Sequence, residues 1–279
     1  MSGTSTLNTS LDILFPLLAA GALGAGLVGT LTGLGGGVVL IPLLVLGFGV
    51  DIRYAAGTSL MAVIATSAGA VFRHKSHFAN LHVGVFLEVA AVAGAVAGAL
   101  AAHHVAKSTL EYLLGATLLF SSVLALRAPP QHLAAADGAN ALELAGAMDD
   151  GPLHVEYAPR RVPAGFALMG VAGLMSGLLG IGSGALKTLA MDLVMRLPLK
   201  VSTATSNFMI GITAGASAAI YYRQGYVDPV LAGPVVLGTL AGAAIGARLP
   251  PKITTRWLRP FFALVVGALG VEVLWQALS

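Results

Sequence analysis

Two glycine-rich runs, Gly33-Leu34-Gly35-Gly36-Gly37 and Gly180-Ile181-Gly182-Ser183-Gly184, interrupt long apolar stretches. Glycine admits the positive φ and close backbone approach that a turn between two helices requires. The helix that restarts after such a break opens with free N–H groups, where backbone dipoles favour an anion. Gly35, Gly36, Gly37, Ser183 and Gly184 are therefore candidate anion-binding backbone positions. The bland alternative is that these glycines only let helices pack closely. Lys187, three residues past Gly184, is a cation inside an apolar segment. At membrane depth it costs at least a few kcal/mol unless it faces a cavity or a partner. It is read as neutralising an anion held at the helix start. The competing readings are snorkelling to an interface or pairing with Asp192, five residues on, a spacing that does not share a helix face well.

Thr58-Ser59 and Thr205-Ser206-Asn207 open the next apolar segment of each half, where they can donate to an oxyanion or cap a helix. Asp192 is a candidate for proton coupling, or a structural i,i+4 partner of Arg196. Glu88 and Glu272 lie within long apolar segments and are candidates for ion coupling, or for pairing with a cation near a helix end. Other chemistry is excluded by type or spacing. The chain has no cysteine, which removes disulfides, thiol catalysis and cysteine metal sites. Neither glycine run continues into a Walker lysine, and no HExxH or Ser-His-Asp order is present. His74, His77 and His82 fit no strong zinc pattern and read as solvated interfacial groups. No catalytic residue, metal or cofactor is expected, so the chain is not read as an enzyme.

The elements that carry these residues are set by composition. Of 279 residues, 57% are hydrophobic, 10% charged and 36 glycine. A soluble domain carries roughly 25% charge, and disorder needs low hydrophobicity. Apolar runs of 20 residues and more exceed the ten-residue alternation of an outer-membrane barrel. The expected class is an all-α polytopic membrane protein. The net charge of +3 bears on topology rather than on nucleic acid. Residues 1–10 carry no Lys or Arg, so they lack the positive region of a signal peptide, and the first apolar segment is expected to stay as a helix.

Five apolar stretches, 13–34, 38–50, 55–72, 81–102 and 110–126, precede a polar gap, and five more follow at 163–181, 185–197, 202–222, 230–247 and 258–278. The division is a first membrane repeat over 11–126, a linker over 127–162 and a second repeat over 163–278. Adding 147 carries Gly26 to Gly173, Gly33 to Gly180, Gly35 to Gly182, Thr58 to Thr205, Ser59 to Ser206 and Thr66 to Thr213. An offset of 148 then carries Gly94 to Gly242 and Gly98 to Gly246. Collinear matches of this kind indicate a duplicated half, a common transporter architecture.

With an odd number of crossings per half and the N-terminus outside, eleven Lys and Arg fall inside and three outside; an even number gives six against eight. The positive-inside rule selects inverted halves, both termini outside and the linker in the cytoplasm. The stretch 38–50 has 13 residues, about 20 Å as a helix against a hydrocarbon core of about 30 Å. The first two segments of each half are therefore expected to form a Gly-rich broken or re-entrant pair, giving eight to ten membrane segments in two inverted-topology repeats.

At these residues the sequence resembles the TauE/SafE family of membrane transporters, often called sulfite exporters. The resemblance lies in GLGGGVVLIPLL from Gly33 to Leu44 with AAGTSL from Ala55 to Leu60, and in GLLGIGSGALKTLAMDL from Gly177 to Leu193 with VSTATSNFMIG from Val201 to Gly211. One departure is Leu189, which stands where the first half has Pro42. The resemblance implies transport of a small sulfur-containing or organic anion, such as sulfite, sulfoacetate or a related sulfonate, across a prokaryotic cytoplasmic (inner) membrane. Its expected partners are the anion, the lipid bilayer and a coupling ion, H+ or Na+. The alternatives are an anion channel and a carrier of a non-sulfur organic anion.

Overall fold

A computed structural model describes residues 3–32, 35–73, 79–126, 144–150, 153–248 and 251–278. Among them are ten α-helices and one two-stranded hairpin. The first half holds α1 (Gly3–Thr32), α2 (Gly37–Pro42), α3 (Ile52–Arg73), α4 (Leu81–Ala102) and α5 (Lys107–Leu126). The second holds α6 (Val162–Leu179), α7 (Gly184–Leu189), α8 (Leu199–Arg223), α9 (Pro229–Arg248) and α10 (Pro251–Leu278). Helices α4, α6 and α9 are long and apolar enough to cross a membrane by length and composition. Leu237, Leu240, Ile245 and Leu264 point outward and exposed, as lipid-facing residues do in a bundle whose interior is otherwise packed.

The short second stretch of each half is a six-residue helix that widens into one π-helical turn, Leu43–Gly47 after α2 and Ala190–Val194 after α7. These turns occupy matching positions under the 147-residue offset. Pro42 precedes the first, but Leu189 precedes the second, so the widening does not depend on the proline. In both halves the segment after the break lies beside the helix that precedes it. A Cβ on Gly21 of α1 would meet Leu43, and one on Gly165 of α6 would meet Met195.

The halves are interleaved: α1 packs along α9, α6 along α4, α3 against α8, and α5 against α10. Exchanging the halves reproduces this pattern. Gly26 of α1 lies on the backbone of Thr239, and Gly173 of α6 on the backbone of Ala91 in the equivalent place on α4. A Cβ at either position would overlap a carbonyl, so these helices approach at backbone distance. Ser67 of α3 lies beside Gly211 of α8, while Gly57 near the start of α3 lies beside Tyr226 just past the end of α8. The two helices therefore cross antiparallel.

The gap between the halves, expected to be a water-exposed linker, carries a hairpin in its described part. Residues Gly146–Asp150 (β1) pair antiparallel with Leu153–Tyr157 (β2). Leu144 and Tyr157 are buried in a cluster with Val83, Met195 and Leu197, and Ala158 is buried too. Asn80, the N-cap of α4, accepts from Val83 N with its side-chain oxygen. Its amide donates to the Leu144 carbonyl at 3.2 Å and the Tyr157 hydroxyl at 3.3 Å. Burial raises the Tyr157 phenol above its ordinary value. At the far end of α4, Arg53 donates to the carbonyls of Ala102 at 3.2 Å and Val105 at 2.8 Å, the place where a cation suits a helix C-terminus.

Candidate functional site

The two breaks lie against each other. Gly180 ends α6 at φ 73° and donates its N–H to the Ser176 carbonyl at 2.8 Å. Gly182 and Ser183 follow at φ 74° and 48°, and Gly35 has φ 84°. Gly37 backs onto the Gly180 carbonyl, Gly35 faces the Ile181 carbonyl, and Gly182 sits between Val63 and Ile210. Val63 and Ile210 stand near the middles of α3 and α8, so the breaks meet where these helices cross. Gly33 and Leu34 lie outside the described residues. α2 is capped by Gly36 and α7 by Ser183, neither with a side-chain cap.

The hydroxyls expected at the site divide into two groups. Ser59 donates to the Gly180 carbonyl at 3.0 Å and Ser206 to the Gly184 carbonyl at 3.2 Å, so both tie a helix to the break after α6. Thr205 accepts from the N–H of Asn80 at 3.1 Å, a structural link between α8 and α4. By contrast, Thr58 Oγ1, Ser183 Oγ and Asn207 Nδ2 are buried with no hydrogen-bond partner. A buried polar atom left unpaired costs about 1–3 kcal/mol, so such atoms call for an explanation. Gly35, Gly36, Gly37 and Gly184 are all buried, as is Asp192 on the π turn after α7. Glu272 is exposed on α10.

Lys187 is fully buried, and its ammonium has a protein counter-charge. Nζ lies 3.4 Å from Glu88 Oε2 of α4 and also donates to the Thr213 hydroxyl of α8. Thr213 in turn donates to Glu88 Oε1 at 2.5 Å, with the Met209 carbonyl at 3.1 Å as its other acceptor. Glu88 was visible in the sequence as a buried acid and Thr213 as the match of Thr66, but their meeting at Lys187 was not. Neither residue shares a segment with Lys187, so no local spacing signals the cluster. Among the described residues no group of His, Asp or Glu could hold a metal. His74 and His77 lie outside them.

A family model described as "Sulfite exporter TauE/SafE" matches residues 17–273. The chain belongs to that family. It is 27% identical over 273 residues to the probable membrane transporter protein YunE of Bacillus subtilis, covering 95% of this chain and 98% of the relative. It is 26% identical over 285 residues to the probable membrane transporter protein MJ0441 of Methanocaldococcus jannaschii, covering 94% and 96%. A probable membrane transporter protein, MamO of Magnetospirillum gryphiswaldense, is 24% identical over 275 residues, covering 91% of this chain and 44% of the relative. No solved structure matches. The chain is thus a multi-pass membrane protein of a transporter family.

Proposed function

We infer that this TauE/SafE protein is a secondary transporter of a small sulfur-containing or organic anion, such as sulfite, sulfoacetate or a related sulfonate, working by alternating access. The observation that carries this reading is the meeting of the two glycine-rich breaks at the crossing of α3 and α8. Discontinuous helices paired near the midplane are how many carriers place a binding site. The antiparallel crossing of α3 and α8, which match in sequence, supports inverted halves. The return of Leu43 beside Gly21 and Met195 beside Gly165 supports a re-entrant pair in each half. In this reading Gly35, Gly36, Gly37, Ser183 and Gly184 present backbone N–H groups. Thr58, Ser183 and Asn207 bring unpartnered polar atoms, Ser59 and Ser206 hold the second break in place, and Lys187 supplies the charge. The same reading places the protein in the cytoplasmic membrane with both termini outside.

The test is thermal unfolding of the detergent-purified protein with sulfite, sulfate, thiosulfate, sulfoacetate, taurine, acetate and chloride, followed by counterflow in proteoliposomes. An anion at about 100 times its dissociation constant adds about 2.7 kcal/mol to the folded state. The reading expects a selective rise with a sulfur oxyanion or sulfonate and saturable counterflow of that anion. Single-channel current in place of counterflow would instead make the protein an anion channel.

A further inference from the structure

The Lys187–Glu88–Thr213 cluster breaks the repeat. Under the offsets that match the two halves, Thr213 corresponds to Thr66, but Lys187 corresponds to Leu40 and Glu88 to Val236. Leu40 is itself fully buried. The duplicated core is therefore built once with an apolar residue and once with an ion pair at the same place. Packing does not require the charges, because a buried pair replaced by well-packed apolar residues is often neutral or more stable. Charged groups at such depth mark ion pathways and relays.

The charge arithmetic points to one role. Among the described residues the buried charged side chains are Glu88, Lys187 and Asp192, and Lys187 is neutralised by Glu88. An anion that takes over the Lys187 ammonium leaves Glu88 buried without its counter-charge, a cost of several kcal/mol for an ion in such surroundings. A carboxylate escapes that cost by taking a proton.

We propose that Glu88 is the proton-coupling residue of this transporter: it neutralises Lys187 while no anion is bound and takes up one proton when an anion replaces it. In that step an O–H bond forms at a Glu88 carboxyl oxygen with a proton from water, and Lys187 stays an ammonium ion. Thr213, which donates to Glu88 Oε1, turns its proton to the Met209 carbonyl already within 3.1 Å and accepts from the new acid. Anion and proton enter together and leave together, so the core gains no net charge from a monoanion. The ionisable groups on the elements around Glu88 are few. α6 has none; α8 has Lys200, Tyr221, Tyr222 and Arg223 near its ends; α4 itself has His82 in its first turn; Asp192 follows Lys187 on the π turn.

This proposal rests on the anion-carrier reading, and the experiment separates the two. The purified full chain is reconstituted with a pH dye trapped inside, and isethionate or sulfoacetate, both fully ionised near neutrality, is supplied on one side. The wild type is expected to acidify the lumen in step with anion uptake, with one proton per anion. Glu88→Gln is expected to lose the acidification for each anion that it still exchanges. Anion affinity of the wild type should weaken about tenfold per pH unit above the titration of the carboxyl. That second measurement decides the question if Glu88→Gln fails to fold. Anion flux without protons, pH-independent affinity, or wild-type acidification by Glu88→Gln overturns the proposal alone. A folded wild type that neither binds nor moves any probe anion overturns the carrier reading, and this proposal with it.

Discussion

Ser59 of the first half donates its hydroxyl proton to the carbonyl of Gly180 in the second half, across 121 positions and 3.0 Å. The bond joins α3 to the point where α6 stops, and both groups are buried. Removing Ser59 takes away the hydrogen bond that the Gly180 carbonyl accepts. Ser59→Ala is expected to cost about 1–3 kcal/mol, read as a lower unfolding midpoint in detergent. If the proposed anion site at this break is right, the substitution should also reduce transport. An unchanged midpoint would mean that the carbonyl is satisfied in another way.

Gly180 makes a second demand on the same place. It sits at φ 73°, and a Cβ there would collide with the backbone of Ala56. Gly180→Ala combines roughly 1–2 kcal/mol of left-handed strain with that overlap, so little folded protein is expected by size exclusion. Gly215 in α8 has open space around its Cβ direction. Gly215→Ala should be neutral or gain up to about 1 kcal/mol from helix propensity. If both substitutions behaved alike, the contacts around Gly180 would not govern the fold.

Much of this was legible in the sequence. The helical stretches follow from apolar length, because membrane depth forces backbone bonds inside each segment. The breaks followed from glycine chemistry, and their positive φ values agree with it. The pairing of Lys187 with Glu88 was not legible, because it joins α7 to α4 across helices whose relative rotation no local spacing encodes. The hairpin was hidden for a different reason. Its strands, GAMDD and LHVEY, are short. LHVEY does alternate apolar with polar residues, but five residues of alternation amid proline, glycine and charge are a weak signal, and what fixes the hairpin is Tyr157, Leu144 and Asn80 meeting a helix end.

The absence of cysteine makes the topology directly testable. Single cysteines at the exposed positions Ala147 in β1 and Lys107 at the start of α5 should label from opposite faces. An impermeant maleimide should reach Lys107→Cys in intact cells and Ala147→Cys only in inside-out vesicles. Labelling of Ala147→Cys from outside would reverse the charge-based orientation.

Tyr157 gives the hairpin a pH limit. Burial raises its phenol above the ordinary value of 10.0, with the Asn80 hydrogen bond opposing in part. A raised acid binds its proton more tightly in the folded state, so its contribution is fully present below pH 10 and lost as pH rises through the folded value. The hairpin is expected to become protease-sensitive at strongly alkaline pH, and Tyr157→Phe should remove that sensitivity. Asn80→Ala should loosen the hairpin at neutral pH as well, because it deletes the α4 cap, worth about 0.5–2 kcal/mol, and the donor to Leu144. Protease resistance of Asn80→Ala equal to wild type would show that apolar burial alone holds the hairpin.

Lys187 and Glu88 should be far more costly to separate than to remove together. Lys187→Met leaves Glu88 without its counter-charge in the core, a loss of about 3–5 kcal/mol for a buried pair broken on one side. Lys187→Met with Glu88→Gln removes both charges and keeps similar side-chain volume, and Thr213 still has the Met209 carbonyl as an acceptor. The double variant should therefore recover most of the unfolding midpoint lost by Lys187→Met. It should bind no anion, because the ammonium is gone. This divides stability from function at one pair of residues: the fold tolerates the loss of both charges, and transport does not. A double variant as unstable as Lys187→Met would instead make the pair a structural requirement, and its single placement in a duplicated core would then need another cause.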